Sequence, residues 1–181
     1  MSVSKLYEAA EHVDKQMNKT SGGSQNEQNL DNLELATDDE EENIFPLAWK
    51  NWLTEFKQIP FTIPPSHSIA DRFYDVRTRK ISAHFLRQDG TPFNHVLYSI
   101  YVGPVFIDRD SRNRLHQFYT SEFSLAKTRD LSSPAMFSSG LIDISSKPIN
   151  NKRIKLEEVS KVKLIFTIRG IPIPKDNLER T

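Results

Sequence analysis

The stretch "KVKLIFTIRGIPI", residues 161–173, leaves the chain little choice of structure. Val162, Leu164, Phe166 and Ile168 alternate with Lys161, Lys163, Thr167 and Arg169. A two-residue period puts the apolar side chains on one face of a strand and the polar ones on the other. Such a strand needs neighbours to pair with and a second layer to cover its dry face. The same reading extends upstream. "FYDVRTRKISAHFLRQDG" runs through the turn Asp89-Gly90-Thr91-Pro92 into "FNHVLYSIYVGPVFI". "LHQFYTSEFSLA" returns after the polar loop "DRDSRNR", and "SGLIDIS" follows a Ser/Pro-rich loop. With no helical spacer between the early strands, the pattern predicts a mainly β fold, a small antiparallel barrel. "KRIKLEEVS" before the last strand is expected to be one helical turn or a loop.

One helix is expected to cap this barrel. In "IFPLAWKNWLTEFKQIP", Trp49, Trp52, Leu53 and Phe56 fall at helical spacing, with Pro46 suited to a first turn and Pro60, Pro64 and Pro65 ending it. Two Trp on so short a helix imply either a cap over the core or a docking surface. Upstream of residue 44 the composition changes. Residues 1–43 hold three Lys against eleven Asp or Glu, a balance of −8, and residues 44–181 hold the compensating +8, so a neutral total hides an acidic tail and a basic body. Leu6, Ala9, Ala10, Val13 and Met17 suit a short amphipathic helix, and "NKTSGGSQNEQNLDNLELATDDEEEN" reads as an acidic, disordered linker that could shield the body. The expected organisation is thus 1–43 as tail and 44–181 as one β-barrel domain.

Chemistry is sparse. The chain has no Cys, which removes disulfides and thiolate metal sites and suits a reducing compartment. No segment has the ~20 apolar residues of a membrane span, and no apolar N-terminal run suits a signal peptide. There is no phosphate-cradling loop and no nucleophile elbow. His84, His95 and His116 lack a close carboxylate, so no metal and no cofactor are expected. These features point away from an enzyme.

Two surface features stand out. Lys152-Arg153-Ile154-Lys155, introduced by Pro148 and followed by Leu-Glu, matches a monopartite nuclear-import signal. In that signal Lys152, Arg153 and Lys155 enter acidic, Trp-lined receptor grooves, and the alternative is a charged loop before a strand. The expected location is the nucleus. Arg109, Arg112 and Arg114 share one loop beside strands carrying Tyr98, Tyr101, Phe118 and Tyr119, a set suited to single-stranded nucleic acid through stacking and phosphate contacts.

Two segments also resemble a family, the small oligonucleotide/oligosaccharide-binding (OB-fold) accessory subunits of budding-yeast telomerase, related to the telomerase-recruiting barrel of the shelterin complex. "IFPLAWKNWLTE" resembles their opening segment, with Trp49 and Leu53 at the matching positions. "FYDVRTRKISA" resembles their first barrel strand, with Lys80 in register, and Arg87 and Asp89 look similar to a basic–acidic pair after it. The middle loop here is shorter and the acidic tail is extra. The resemblance implies a non-catalytic role at telomeres, binding the telomerase reverse transcriptase and its accessory subunit through Trp49, Lys80, Arg87 and Asp89 rather than through strong DNA binding. The alternatives are a single-stranded nucleic-acid-binding module using Arg109, Arg112, Arg114 and Tyr101, or a generic accessory subunit of another nuclear DNA or chromatin complex. No membrane partner is expected.

Overall fold

The computed structural model describes residues 27–39, 42–119, 124–125, 134–147, 149 and 154–174. Eight strands run in chain order: β1 Gln28–Ala36, β2 Gln58–Thr62, β3 Phe73–Leu86, β4 Ser99–Arg109, β5 Leu115–Tyr119, β6 Ser124–Leu125, β7 Phe137–Asp143 and β8 Lys161–Pro172. Pairing is antiparallel throughout. One sheet has the order β1-β8-β3; the other runs β2-β7-β4-β5, with β6 also on β4. The mainly β expectation holds, but among the described residues the ladders form two sheets rather than one closed ring. They meet where Arg77 on β3 bridges Ala135, with Thr78 N–H donating to Pro134 at 2.9 Å and Met136 N–H to Val76 at 3.0 Å.

β8 behaves as its alternation requires. Val162, Leu164, Phe166 and Ile168 are buried, and the intervening residues are half-buried on the other face. β3 supplies Val76, Ile81, Ala83 and Phe85 to the same core; β4 and β7 supply Ile100, Val102, Phe106, Phe137 and Ile142 from across it. Packing is close enough to require a missing side chain: Gly140 on β7 lies under the Phe61 ring of β2, and a Cβ there would overlap that ring. Arg77 is also buried. Its Nη2 reaches Asp75 at 2.8 Å and Asp108 on β4 at 3.0 Å, so one guanidinium pins the two sheets together.

Three expectations change. The acidic linker is not wholly disordered, because β1 lies inside it. Leu35 is buried and Leu30 and Leu33 pack on the core, while the opposite face meets the cations of β8. Lys161 pairs with Asp38 at 2.7 Å, Lys163 with Glu34 at 3.1 Å and Arg169 with Glu27 at 3.2 Å. The boundary at residue 43 therefore cuts through one folded unit. The candidate helix at residues 1–17 lies outside the described residues. β2 is a strand the sequence reading does not list; it follows the helix and contains Pro60, and an edge strand tolerates a missing N–H.

The third change concerns the Trp helix. One α-turn, Trp49–Asn51, widens into a π-turn, Trp52–Phe56, and together they form α1. Lys57 in the left-handed region, φ 54°, ends it and turns the chain into β2. Only Leu53 is fully buried. Trp49 packs on the core at its edge, whereas Trp52 is 39 % and Phe56 55 % exposed. A helix this short, with its last turn widened, cannot keep four residues on one face.

Candidate functional site

The tight turn after β3 gathers several charged groups. Arg87 N–H donates to Thr91 and Gly90 N–H to Arg87, both at 2.9 Å, with Gly90 at φ 84° where an L side chain would be strained. Asp89 accepts from Thr91 N–H at 2.9 Å and Thr91 Oγ1 at 2.6 Å. These bonds hold its carboxyl below the usual carboxylate range. The Arg87 guanidinium donates to the Pro92 carbonyl at 2.9 Å and lies 4.0 Å from the Phe93 ring centroid. Both charged side chains are thereby held in one arrangement.

Opposite the turn stand the start of α1 and a single 3₁₀ turn, Leu156–Glu158. Between them lies an open cleft of about 440 Å³, lined by Lys50, Arg87, Gln88, Asp89, Glu157, Glu158 and Ser160. Its walls carry both signs of charge, Lys50 and Arg87 against Asp89, Glu157 and Glu158. Such a surface suits polar and ionic contacts with another macromolecule better than enclosure of a small substrate. Next to it α1 carries two exposed rings, Trp52 and Phe56, with centroids 5.2 Å apart and planes tilted by 47°, and Leu47 just before α1 is 96 % exposed.

Of the four residues carried by the family resemblance, Arg87 and Asp89 line this cleft, and Trp49 adjoins it through Lys50. Lys80 does not. It sits on β3 opposite Thr167, seven residues before Arg87, or ~23 Å along an extended strand. A β-bulge between Thr78 and Lys80 leaves Arg79 and Lys80 both exposed there. Sequence reasoning misses Lys50, Glu157 and Glu158 as members of the site, although it expects one helical turn or a loop over "KRIKLEEVS".

The arginine loop is more committed than its sequence implies. Arg109 donates to Asn113 Oδ1 and to the Pro65 carbonyl, the latter at 2.7 Å. Asp110 accepts from the Arg112 and Arg114 amides, from Arg114 Nε and from a His116 ring nitrogen, each at 2.9 Å. Burial pulls the other way, yet those donors push its carboxyl far below the ordinary range. The Arg112 side chain is exposed, and Tyr101 lies half-buried on β4. Two of the three arginines thus shape the loop.

Lys152 and Arg153 of the import motif lie outside the described residues. Lys155 is exposed, while Ile154 between the basic residues is buried in the core. His84, His95 and His116 sit on β3, in the loop before β4 and on β5; among the described residues no group of three His, Cys, Asp or Glu could hold a metal ion. No described helix is long and apolar enough to cross a membrane. Comparison of the chain with known protein families, with curated proteins and with solved structures returns no match.

Proposed function

We propose that the protein is a non-catalytic nuclear adaptor subunit that docks on a protein partner through the cleft beside α1. The observation that carries this reading is that α1, with its exposed and mutually tilted Trp52 and Phe56 rings, shares one cleft through Lys50 with a rigid turn presenting Arg87 and Asp89. Interfaces draw most of their binding energy from a few such aromatic and arginine anchors inside a polar rim. The telomerase-subunit resemblance favours a partner in the telomerase holoenzyme, the reverse transcriptase and its accessory subunit, because Trp49, Arg87 and Asp89 adjoin this surface. The nuclear assignment rests on Lys152, Arg153 and Lys155.

The test is recovery of the tagged protein at native level, with its bound proteins and RNA identified. The expected result is a telomerase protein with its RNA, lost in Arg87→Glu and in Trp52→Ala while the melting temperature is kept. Recovery of a different nuclear assembly through the same residues would remove the telomerase assignment and keep the adaptor. Binding that ignores both variants would sink the docking site.

A second reading has one observation behind it. Tyr119 on β5 and Arg112 in the adjoining loop are both exposed, as a platform for single-stranded nucleic acid requires. Its test is affinity that falls with salt and with Arg112→Ala.

A further inference from the structure

A sheet edge offers a row of unpaired amide groups, and folded proteins cover such edges or arm them against other strands. Three of the four edges here are treated in that way. β1 is acidic and bulged at Leu30/Leu33, with Asn32 at φ 58°. β2 carries Pro60 in its centre. The outer side of β3 is bridged by Pro92 and by Ala135. β5 has none of these devices. Its residues, Leu115, His116, Gln117, Phe118 and Tyr119, include no Pro, Lys, Arg, Asp or Glu, and among the described residues β4 is its sole partner.

The hairpin fixes which amides of β5 are free. Asp110 N–H donates to the Arg114 carbonyl at 3.0 Å, and the register continues as Arg109–Leu115, Asp108–His116, Ile107–Gln117, Phe106–Phe118 and Val105–Tyr119. Hydrogen-bonded and non-bonded pairs alternate in an antiparallel ladder. Arg114, His116 and Phe118 therefore point their amides at β4, and Leu115, Gln117 and Tyr119 point theirs outward. The side chains of those same three residues share one sheet face, where Leu115 is 53 % and Tyr119 70 % exposed.

From this we infer that β5 is a pairing edge for a second copy of the chain, joined antiparallel about a two-fold axis through Gln117. That register alone pairs all three outward residues with one another. Gln117 meets Gln117 in a doubly bonded pair, and Leu115 of each copy meets Tyr119 of the other in two more. All the free N–H and C=O groups of the three residues are then satisfied. Two exposed apolar pairs, Leu115 on Tyr119, close over the joint, and no like charges on the paired strands oppose one another. The two four-strand paths become one continuous sheet, β2-β7-β4-β5 and its mirror order. Strands of five residues bury less than the ~1,200 Å² at the small end of specific interfaces, so the association is weak and concentration-dependent.

The experiment is sedimentation equilibrium of the full chain over roughly 1–300 µM, the range where an interface of this size associates. Wild type shifts from monomer towards dimer mass. Gln117→Pro, whose lost N–H faces away from β4, stays monomeric with an unchanged melting temperature. Gln117→Lys sets like charges at the axis and raises the dissociation constant at least tenfold, an effect that low salt enlarges. A monomer throughout the range would overturn the inference. So would a dimer that tolerates both substitutions, or an edge that needs Gln117 only to bind an extended peptide from another protein.

Discussion

Asp108 offers a sharp check on how the two sheets are joined. Its carboxylate touches Arg77 at 3.0 Å, and an ordinary ion pair would lower its pKa. Burial wins instead. The group is nearly enclosed, Oδ1 has no hydrogen-bond partner among the described residues, and Asp75 competes for the same guanidinium. Its pKa rises from 3.8 to about 6, desolvation being the largest cause. A carboxyl raised in the folded state binds more protons there than in the unfolded chain between those two values. Its contribution is therefore present at low pH and lost as pH climbs through about 6. The shift of roughly two units corresponds to about 3 kcal/mol. Asp108→Asn removes the titration and keeps the shape and the Arg77–Asp75 contact. Urea unfolding followed by Trp fluorescence, at pH near 4 and near 7.5, gives the wild-type-minus-variant difference at each. Because the unfolded carboxyl is already partly ionised near pH 4, that difference should fall by about 2 kcal/mol between the two pH values. A flat difference, or one that grows towards neutral pH as a stabilising ion pair demands, would refute the reasoning.

Further expectations concern packing, docking and a second titration. Leu53→Ala should cost about 2–5 kcal/mol, because it empties a fully buried site. Trp52→Ala, on the exposed side of α1, should change stability little while weakening partner recovery; equal losses in denaturant melts would mean that α1 is only a core element. Gly140→Ala should cost about 1–3 kcal/mol by driving a methyl into the buried Phe61 ring, read as a lower urea midpoint at constant slope. His67 is buried, with Nδ1 accepting from Ile69 N–H at 3.1 Å, and burial holds its pKa below the ordinary value. The unfolded chain then takes the proton first, so stability falls as pH drops below about 6.5. His67→Gln should flatten that part of a melting-temperature profile, and an unchanged profile would count against a neutral buried imidazole.

The sequence makes β8 plain, because apolar residues recur at every second position from Val162 to Ile168 and each of the four is buried. β1 is hidden from the same reasoning for a local cause. Asn32 in the left-handed region and the bulge beside it break the period between Leu30 and Leu33, and acidic and amide residues fill the wet face. α1 misleads in the opposite way. Its i, i+3, i+4, i+7 spacing is sound, yet the π-turn rotates Trp52 and Phe56 off the face that Leu53 buries. Arg87 and Asp89 were visible as a turn pair. That Lys50 and Glu158 join them from α1 and from the turn before β8 follows only from tertiary packing, which no local pattern encodes.

The acid–base ladder between β1 and β8 shows that a map of charge along this chain is not a map of its domains. A truncation placed at the composition break near residue 43 would look conservative on paper. It would strip Leu35 from the core and leave Lys161, Lys163 and Arg169 without Asp38, Glu34 and Glu27. It would also open the long outer edge of β8 to any strand in solution. The product would be a sticky, strongly cationic fragment. Its binding to nucleic acid in a filter assay would report the cut rather than the protein.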